Sequence, residues 1–314
     1  MVATEVTYMM TSKRIKMSRI KSLFNIIKLK IIYNLGKKKK YDIKVIPASK
    51  CVDEILSKKV SVARFGDGEF DIIRGKSIGY QKYDKTLANR MLDMILRGSN
   101  DKIMICLPDV FQNMDRYNDY CDYFYNSQFF VQNEKILRKI EDKYLQYGST
   151  FISRPYIDLK DKSTVSGYFN KIKRVWKDRD ILIVEGKYSR SGEGNDLFDE
   201  ARSIQRIICP DRDAYFSINK IEDTILKFCD GKLVLIMLGP TTKIIVDDMV
   251  NKYHKIEQFF DLGHIDSEYE WFKMGATEKV ALSNKHTAEH NQVSDIVLPK
   301  KNKEFEDQVI ARVY

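Results

Sequence analysis

The chain is poor in proline and in organised cysteine. Six prolines among 314 residues leave little room for long rigid or structureless linkers. Its five cysteines, Cys51, Cys106, Cys121, Cys209 and Cys229, are odd in number and scattered, with no C-x-x-C pair. That pattern excludes a disulfide framework and a cysteine zinc cluster, and it suits a reducing compartment. Long apolar runs are missing too. Lysines interrupt every apolar stretch of the first 44 residues, so a spanning helix of about 20 apolar residues is not expected there. The clean apolar core and small-residue cleavage site of a signal peptide are also lacking. The expected location is therefore cytoplasmic.

What the chain does have is a hydrophobic content of 43% beside a charged content of 31%, the balance of a folded globular protein. The net charge of +10 is confined to one end. Residues 1–44 hold twelve Lys and Arg against Glu5 and Asp42, so the remaining body is neutral. A neutral body without a basic-aromatic pattern argues against nucleic acid as a partner. Within the arm, Ile20, Leu23, Phe24, Ile27 and Ile31 recur at helical spacing between Arg19, Lys21, Lys28 and Lys30. A basic amphipathic helix followed by Lys37 to Lys40 fits an anionic membrane surface, which would place the protein at the inner face of the cell membrane. A partner-docking helix and a basic tail are the alternatives.

From about residue 45 the pattern alternates. Strands are expected at Val60–Ala63, Ile103–Leu107, Ile181–Val184, Leu233–Leu238 and Ile256–Phe260. Helices are expected around Leu87 to Ile95, from Ile136 to Tyr147 and from Thr241 to Tyr253. Alternation of this kind implies an α/β fold with a mainly parallel, covered sheet. Ligands of such sheets bind beyond the carboxyl ends of the strands.

The candidate chemistry falls at those ends. Asp67 and Glu69 follow the first strand two positions apart, which in an extended segment points both carboxylates the same way. Two convergent oxygen ligands suit Mn²⁺ or Mg²⁺, although a solvated turn uses the same residue types. The stretch Tyr188 to Phe198 contains Arg190, Gly192, Gly194, Asn195 and Asp196. Asn195 or Asp196 can cap a following helix, whose free N–H groups would receive phosphate, with Arg190 adding a charged contact. Gly239-Pro240-Thr241-Thr242 reads as a helix start, by capping or by ligand contact. Asp261 to Trp271 carries His264, a possible metal ligand, and Asp266 and Glu268, possible general bases. His286-Thr287-Ala288-Glu289-His290 matches H-x-x-E-H, but five residues match easily by chance and no metalloprotease context surrounds them.

Five segments in order carry a resemblance covering roughly residues 45–300. They are Arg64-Phe65-Gly66-Asp67-Gly68-Glu69, Ser153-Arg154-Pro155-Tyr156, Gly192 to Phe198 with Ser203 to Ile207, Leu238 to Thr241, and Asp261 to Trp271. Together they resemble the bacterial glycosyltransferases of the GT-D fold, a family first described as a domain of unknown function. The resemblance implies a Rossmann-like α/β domain over residues 45–314 behind the basic arm of residues 1–44. It implies a UDP-sugar donor, commonly UDP-glucose, and Mn²⁺ or Mg²⁺ held through an Asp-x-Glu motif. Carried over, Asp67 and Glu69 grip the metal, with His264 lining the same cleft. Arg64, Phe65, Gly66, Arg154, Arg190, Gly192, Gly194, Asn195, Asp196, Gly239 and Thr241 surround the nucleotide sugar. Asp266, then Glu268, are the candidate bases toward a glycan acceptor, lipid-linked or protein-linked. Two rival readings use the same residues: a metal-dependent nucleotide phosphoesterase, and a membrane-docked accessory subunit without turnover.

Overall fold

The computed structural model describes residues 25–282, 285–287 and 302–314. Nine strands among them form one sheet. In chain order they are β1 (Lys44–Val45), β2 (Ser61–Arg64), β3 (Ile103–Leu107), β4 (Gln146–Ser149), β5 (Asp180–Gly186), β6 (Ser203–Cys209), β7 (Leu233–Met237), β8 (Phe259–Asp261) and β9 (Val309–Arg312). The spatial order is β1-β4-β3-β2-β8-β7-β5-β6-β9. All eight pairings are parallel, where the sequence suggested only a mainly parallel sheet.

Helices cover both faces, as parallel sheets require. They are α1 (25–38), α2 (Ala48–Lys58), α3 (Asp67–Ile73), α4 (Lys85–Arg97), α5 (Asp119–Phe124), α6 (Phe130–Gln132), α7 (Glu134–Glu141), α8 (Val165–Lys173), α9 (Ile218–Phe228), α10 (Thr241–Asp247), α11 (Ile265–Met274) and α12 (Lys303–Gln308). Strand side chains alternate between two cores. Ala63, Ile105, Leu182 and Val234 face one side, and Val62, Met104, Ile181 and Leu233 the other. Helix α4 shows how sequence makes an element here. Asp84 caps it by accepting from the Leu87 N–H at 2.9 Å, Leu87, Ala88, Met91, Met94 and Ile95 bury one stripe, and Gly98 at φ 75° stops it.

Four expectations change. The helix expected to Tyr147 ends at Glu141, Tyr144 turns left-handed at φ 51°, and residues 146–149 become β4. Pairing with β1 and β3 outweighs local helix preference there. Gly148 is needed in β4, because a Cβ would lie 2.6 Å from the Met104 sulfur. Helix α10 stops at Asp247 and passes into a π turn, Asp248–Lys252. The strand expected at 256–260 forms at Phe259–Asp261, leaving Ile256 in water. No helix follows Asp196; residues 191–202 are turns and bends leading to β6.

The arm is partly integrated. In α1, Tyr33 stacks on Tyr123 of α5 at 5.8 Å between ring centroids and donates to Asp122. Gly36 lies against the Asn126 backbone, where a Cβ would overlap the carbonyl oxygen. Tyr41 and Ile43 are already buried in the core, so a boundary after residue 44 would cut β1. Ile27, Ile31 and Leu35 form an exposed stripe away from this contact. Residues 1–24, including Ile20, Leu23 and Phe24, lie outside the described residues. No helix among the described residues is long and apolar enough to cross a membrane.

Candidate functional site

A cleft opens at the carboxyl ends of β2, β5, β7 and β8, holding about 1280 Å³ of atom-free space with its mouth included. Its floor is set by four buried charges. Arg64, the last residue of β2, donates from Nε to the Asp261 carbonyl at 2.7 Å and pairs with the Asp261 carboxylate at 2.9 Å. It also donates to the Thr150 carbonyl and to Ser153 Oγ. Lys243, in the first turn of α10, reaches Glu69 at 2.7 Å, Asp261 at 3.1 Å and the Gly239 carbonyl at 3.0 Å. Two cations thus meet two carboxylates, and each member is paired, the condition under which buried charge is tolerated. Burial alone would raise the Asp261 carboxyl, but Arg64 and Lys243 hold it below its usual value. Gly263 permits the latch, since a Cβ there would overlap the Arg64 guanidinium.

Asp67 and Glu69 do not share an extended segment. The chain turns into α3 at once, placing Asp67 at the first helical position and Glu69 at the third. Residues two apart on a helix diverge. Glu69 folds back to accept from the Gly66 N–H at 2.8 Å, which satisfies one free donor at the start of α3, and gives its other oxygen to Lys243. Asp67 faces the cleft, open to water but walled by protein. That enclosure raises its carboxyl above the usual range, with Arg154 opposing the rise.

The structure gathers Arg64, Gly66, Asp67, Glu69, Arg154, Gly239, His264 and Asp266 around the cleft. Other expected residues sit elsewhere. Phe65 is a core side chain and Thr241 is buried behind the wall. In the loop after β5, Tyr188, Ser189 and Ser191 line the cleft. Arg190, at φ 45°, turns away to pair with Glu193 and lie 4.2 Å from the Phe305 ring centroid. Gly192, Gly194, Asn195 and Asp196 line a neighbouring groove instead. Gly192 is seated by packing, because a Cβ would come within 2.4 Å of the Phe198 ring.

The candidate bases are engaged. Asp266 accepts from the Gly192 N–H at 2.8 Å, from Asn195 at 2.9 Å and from Lys285 at 2.9 Å. It ties the loop down rather than standing ready for a proton. Glu268 is fully buried beneath the cleft and accepts from the Tyr156 and Ile157 N–H groups at 2.9 and 3.0 Å. Burial pushes its carboxyl up to about 7, against the pull of Arg154. His264 does reach the cleft. Of the H-x-x-E-H stretch, His286 lines the cleft and Thr287 is buried, while residues 288–290 lie outside the described residues.

A divalent ion that keeps waters and phosphate oxygens needs only one or two carboxylates. Asp67 fits that demand. Glu69 is committed to Lys243 and its own helix cap. Asp67, Glu69 and His264 do not bring three ligand atoms within 4.8 Å of one another; among the described residues only Cys229, Asp230 and Glu257 do, before β7 and β8 at the opposite end of the sheet.

Sequence reasoning did not single out Lys243, the pair of Arg206 with Glu185 at 2.6 Å, or Lys285. A lone lysine inside the apolar run Thr241 to Val246 was the available signal for the first.

The fold is a Rossmann-like α/β sheet with its cleft at the carboxyl ends of the strands, and the chain belongs to the family of glycosyltransferases of the GT-D fold, whose model matches residues 62–290. It is similar to a glycosyltransferase (DUF1792) structure from Streptococcus sanguinis, with a TM-score of 0.83, 46% identity, and coverage of 87% of this chain and 100% of that one. A second structure, described as domain of unknown function 1792 with a distinct glycosyltransferase fold, has a TM-score of 0.82 at 46% identity, covering 90% and 98%. The probable glycosyl transferase Gly of Streptococcus gordonii is 46% identical over 279 residues, 89% of this chain and 40% of that protein. Glycosyltransferase GlyD of Streptococcus pneumoniae serotype 4 is 44% identical over 262 residues, 83% of this chain and 31% of that protein. The chain thus spans less than half the length of these two relatives.

Proposed function

We propose that this chain transfers a hexose, with glucose the first expectation, from a UDP-sugar to a cell-surface glycan or glycoprotein acceptor, using Mn²⁺ or Mg²⁺. The observation that carries the reading is Asp67, a carboxylate open to the cleft on a turn held by the paired charges of Glu69 and Lys243. The UDP donor rests on the family resemblance. A divalent ion bound at Asp67 would neutralise charge on the departing diphosphate. Arg154, paired with Asp158 at 3.4 Å, adds a guanidinium to the cleft besides that of Arg64, which is tied to Asp261, and Ser189 and Ser191 add hydroxyls, which suits diphosphate recognition. His264 reaches both the cleft and the cavity beside it. That position suits it better than Glu268 to take the proton of an acceptor hydroxyl. The exposed stripe and lysines of α1 support docking on anionic lipid.

The test is UDP release from a panel of UDP-sugars with and without Mn²⁺, comparing wild type with Asp67→Ala. Metal-dependent turnover of one donor, lost in the variant, is expected. Failure of every UDP-sugar to bind would remove the donor reading and favour an accessory subunit. Hydrolysis of nucleotides indifferent to any acceptor would favour a phosphoesterase.

A further inference from the structure

A second cavity, with about 910 Å³ of atom-free space, adjoins the cleft and shares Asp67, Tyr80, Tyr125, Arg154 and His264 with it. Its outer part is distinct in chemistry. Tyr120 of α5 is 64% exposed at its rim, and Lys279 stands 5.3 Å from the centroid of that ring. Phe124 and Ile78 add apolar wall, while Asp71, paired with Arg74, and Asp158, paired with Arg154, add carboxylates held in place by their cations. A large aromatic side chain left in water at a cavity mouth asks for an apolar partner face. Carboxylates beside it ask for hydroxyl donors. A pyranose offers both, with a C–H face for the ring and an equatorial rim of hydroxyls.

The charges argue against an anionic occupant. Asp71 is paired with Arg74 and Asp158 with Arg154 at 3.4 Å, so most of the wall's charge is already balanced and no large excess of positive charge is left to hold a phosphate or carboxylate ligand. A π turn at Tyr125–Phe129 interrupts the α5–α6 rod immediately after this wall, a departure that concentrates at functional sites. Tyr125, its first residue, lines both cavities.

We propose that this cavity is the acceptor subsite and that it takes a neutral hexose at the non-reducing end of a glycan, stacked on Tyr120 and hydrogen-bonded through Asp71 and Asp158. The proposal rests on the transferase reading. A sugar held there has its hydroxyls toward the wall shared with the donor cleft, where Asp67 and His264 stand.

The test titrates p-nitrophenyl hexosides (gluco, galacto and N-acetylglucosamine forms) into the full chain with UDP and Mn²⁺ present, using saturation-transfer NMR and calorimetry. UDP binding is measured separately. At least one glycoside should bind wild type, and Tyr120→Ala should weaken it tenfold or more, Tyr120→Phe should restore it, and Asp71→Asn should weaken it as well. UDP affinity serves as the check that each variant is folded. Glycoside binding unchanged by Tyr120→Ala and Asp71→Asn, or no glycoside bound by wild type, would overturn the subsite. Absence of UDP binding with Tyr120-dependent glycoside binding intact would instead count against the donor reading alone.

Discussion

Lys243 is the residue on which the floor of the cleft depends. Removing its ammonium leaves Glu69 and Asp261 facing one another without their shared cation. Breaking a buried pair from one side costs about 3 to 5 kcal/mol. Lys243→Met is therefore expected to lower the unfolding free energy by about 3 to 5 kcal/mol, and Glu69→Gln in the same chain should recover part of it. A melting curve for Lys243→Met that overlays wild type would show the quartet to be unimportant. Glu268 makes the opposite kind of statement. Its carboxyl titrates higher in the folded chain than in the unfolded one, so the folded state holds that proton more tightly. The associated stability is full below the ordinary carboxylate range, and it is lost as pH rises to about 7. Between pH 4.5 and 7 wild type should lose more stability than Glu268→Gln, which keeps an uncharged side chain throughout. Equal slopes for the two proteins in chemical denaturation would contradict this.

At the scale of elements, α1 separates two roles. Tyr33 and Gly36 dock it on α5 and the π turn, while Ile27, Ile31 and Leu35 stay in water. Ile27→Glu combined with Ile31→Glu is expected to abolish binding to phosphatidylserine vesicles and to leave UDP-sugar turnover unchanged. Sedimentation with vesicles measures the first and UDP release the second; retained sedimentation would end the anchoring idea. Elements were legible in the sequence where the apolar run was long and its stop chemical. Ile103–Leu107 before Pro108 and Leu87 to Ile95 before Gly98 are such cases. They were illegible where pairing decides. Gln146–Ser149 has no strong strand preference and becomes β4 only because β1 and β3 flank it. The site divides in the same way. Asp67 and the strand-end positions could be read from residue types and glycines. The different directions of Asp67 and Glu69 could not, because they depend on α3 beginning within two residues of β2. The outward turn of Arg190 likewise needs Glu193 and Phe305, the latter more than a hundred positions away.

Across the whole molecule, the sheet places the cleft at its middle strands and its outermost strands at the two ends of the described chain. β1 comes from residues 44–45 and β9 from residues 309–312. Each hides the flank of a longer neighbour, β4 and β6 respectively. The buried part of β6 is Arg206, Ile207, Ile208 and Cys209, and an uncovered apolar strand of that kind invites pairing with other chains. Its cover is made about a hundred residues later. At roughly 5–20 residues per second, β6 emerges from the ribosome and waits on the order of 5–20 seconds with one side open. Cellular yield of this protein is accordingly a race between that wait and aggregation. Truncating the chain before Val309 makes the wait permanent.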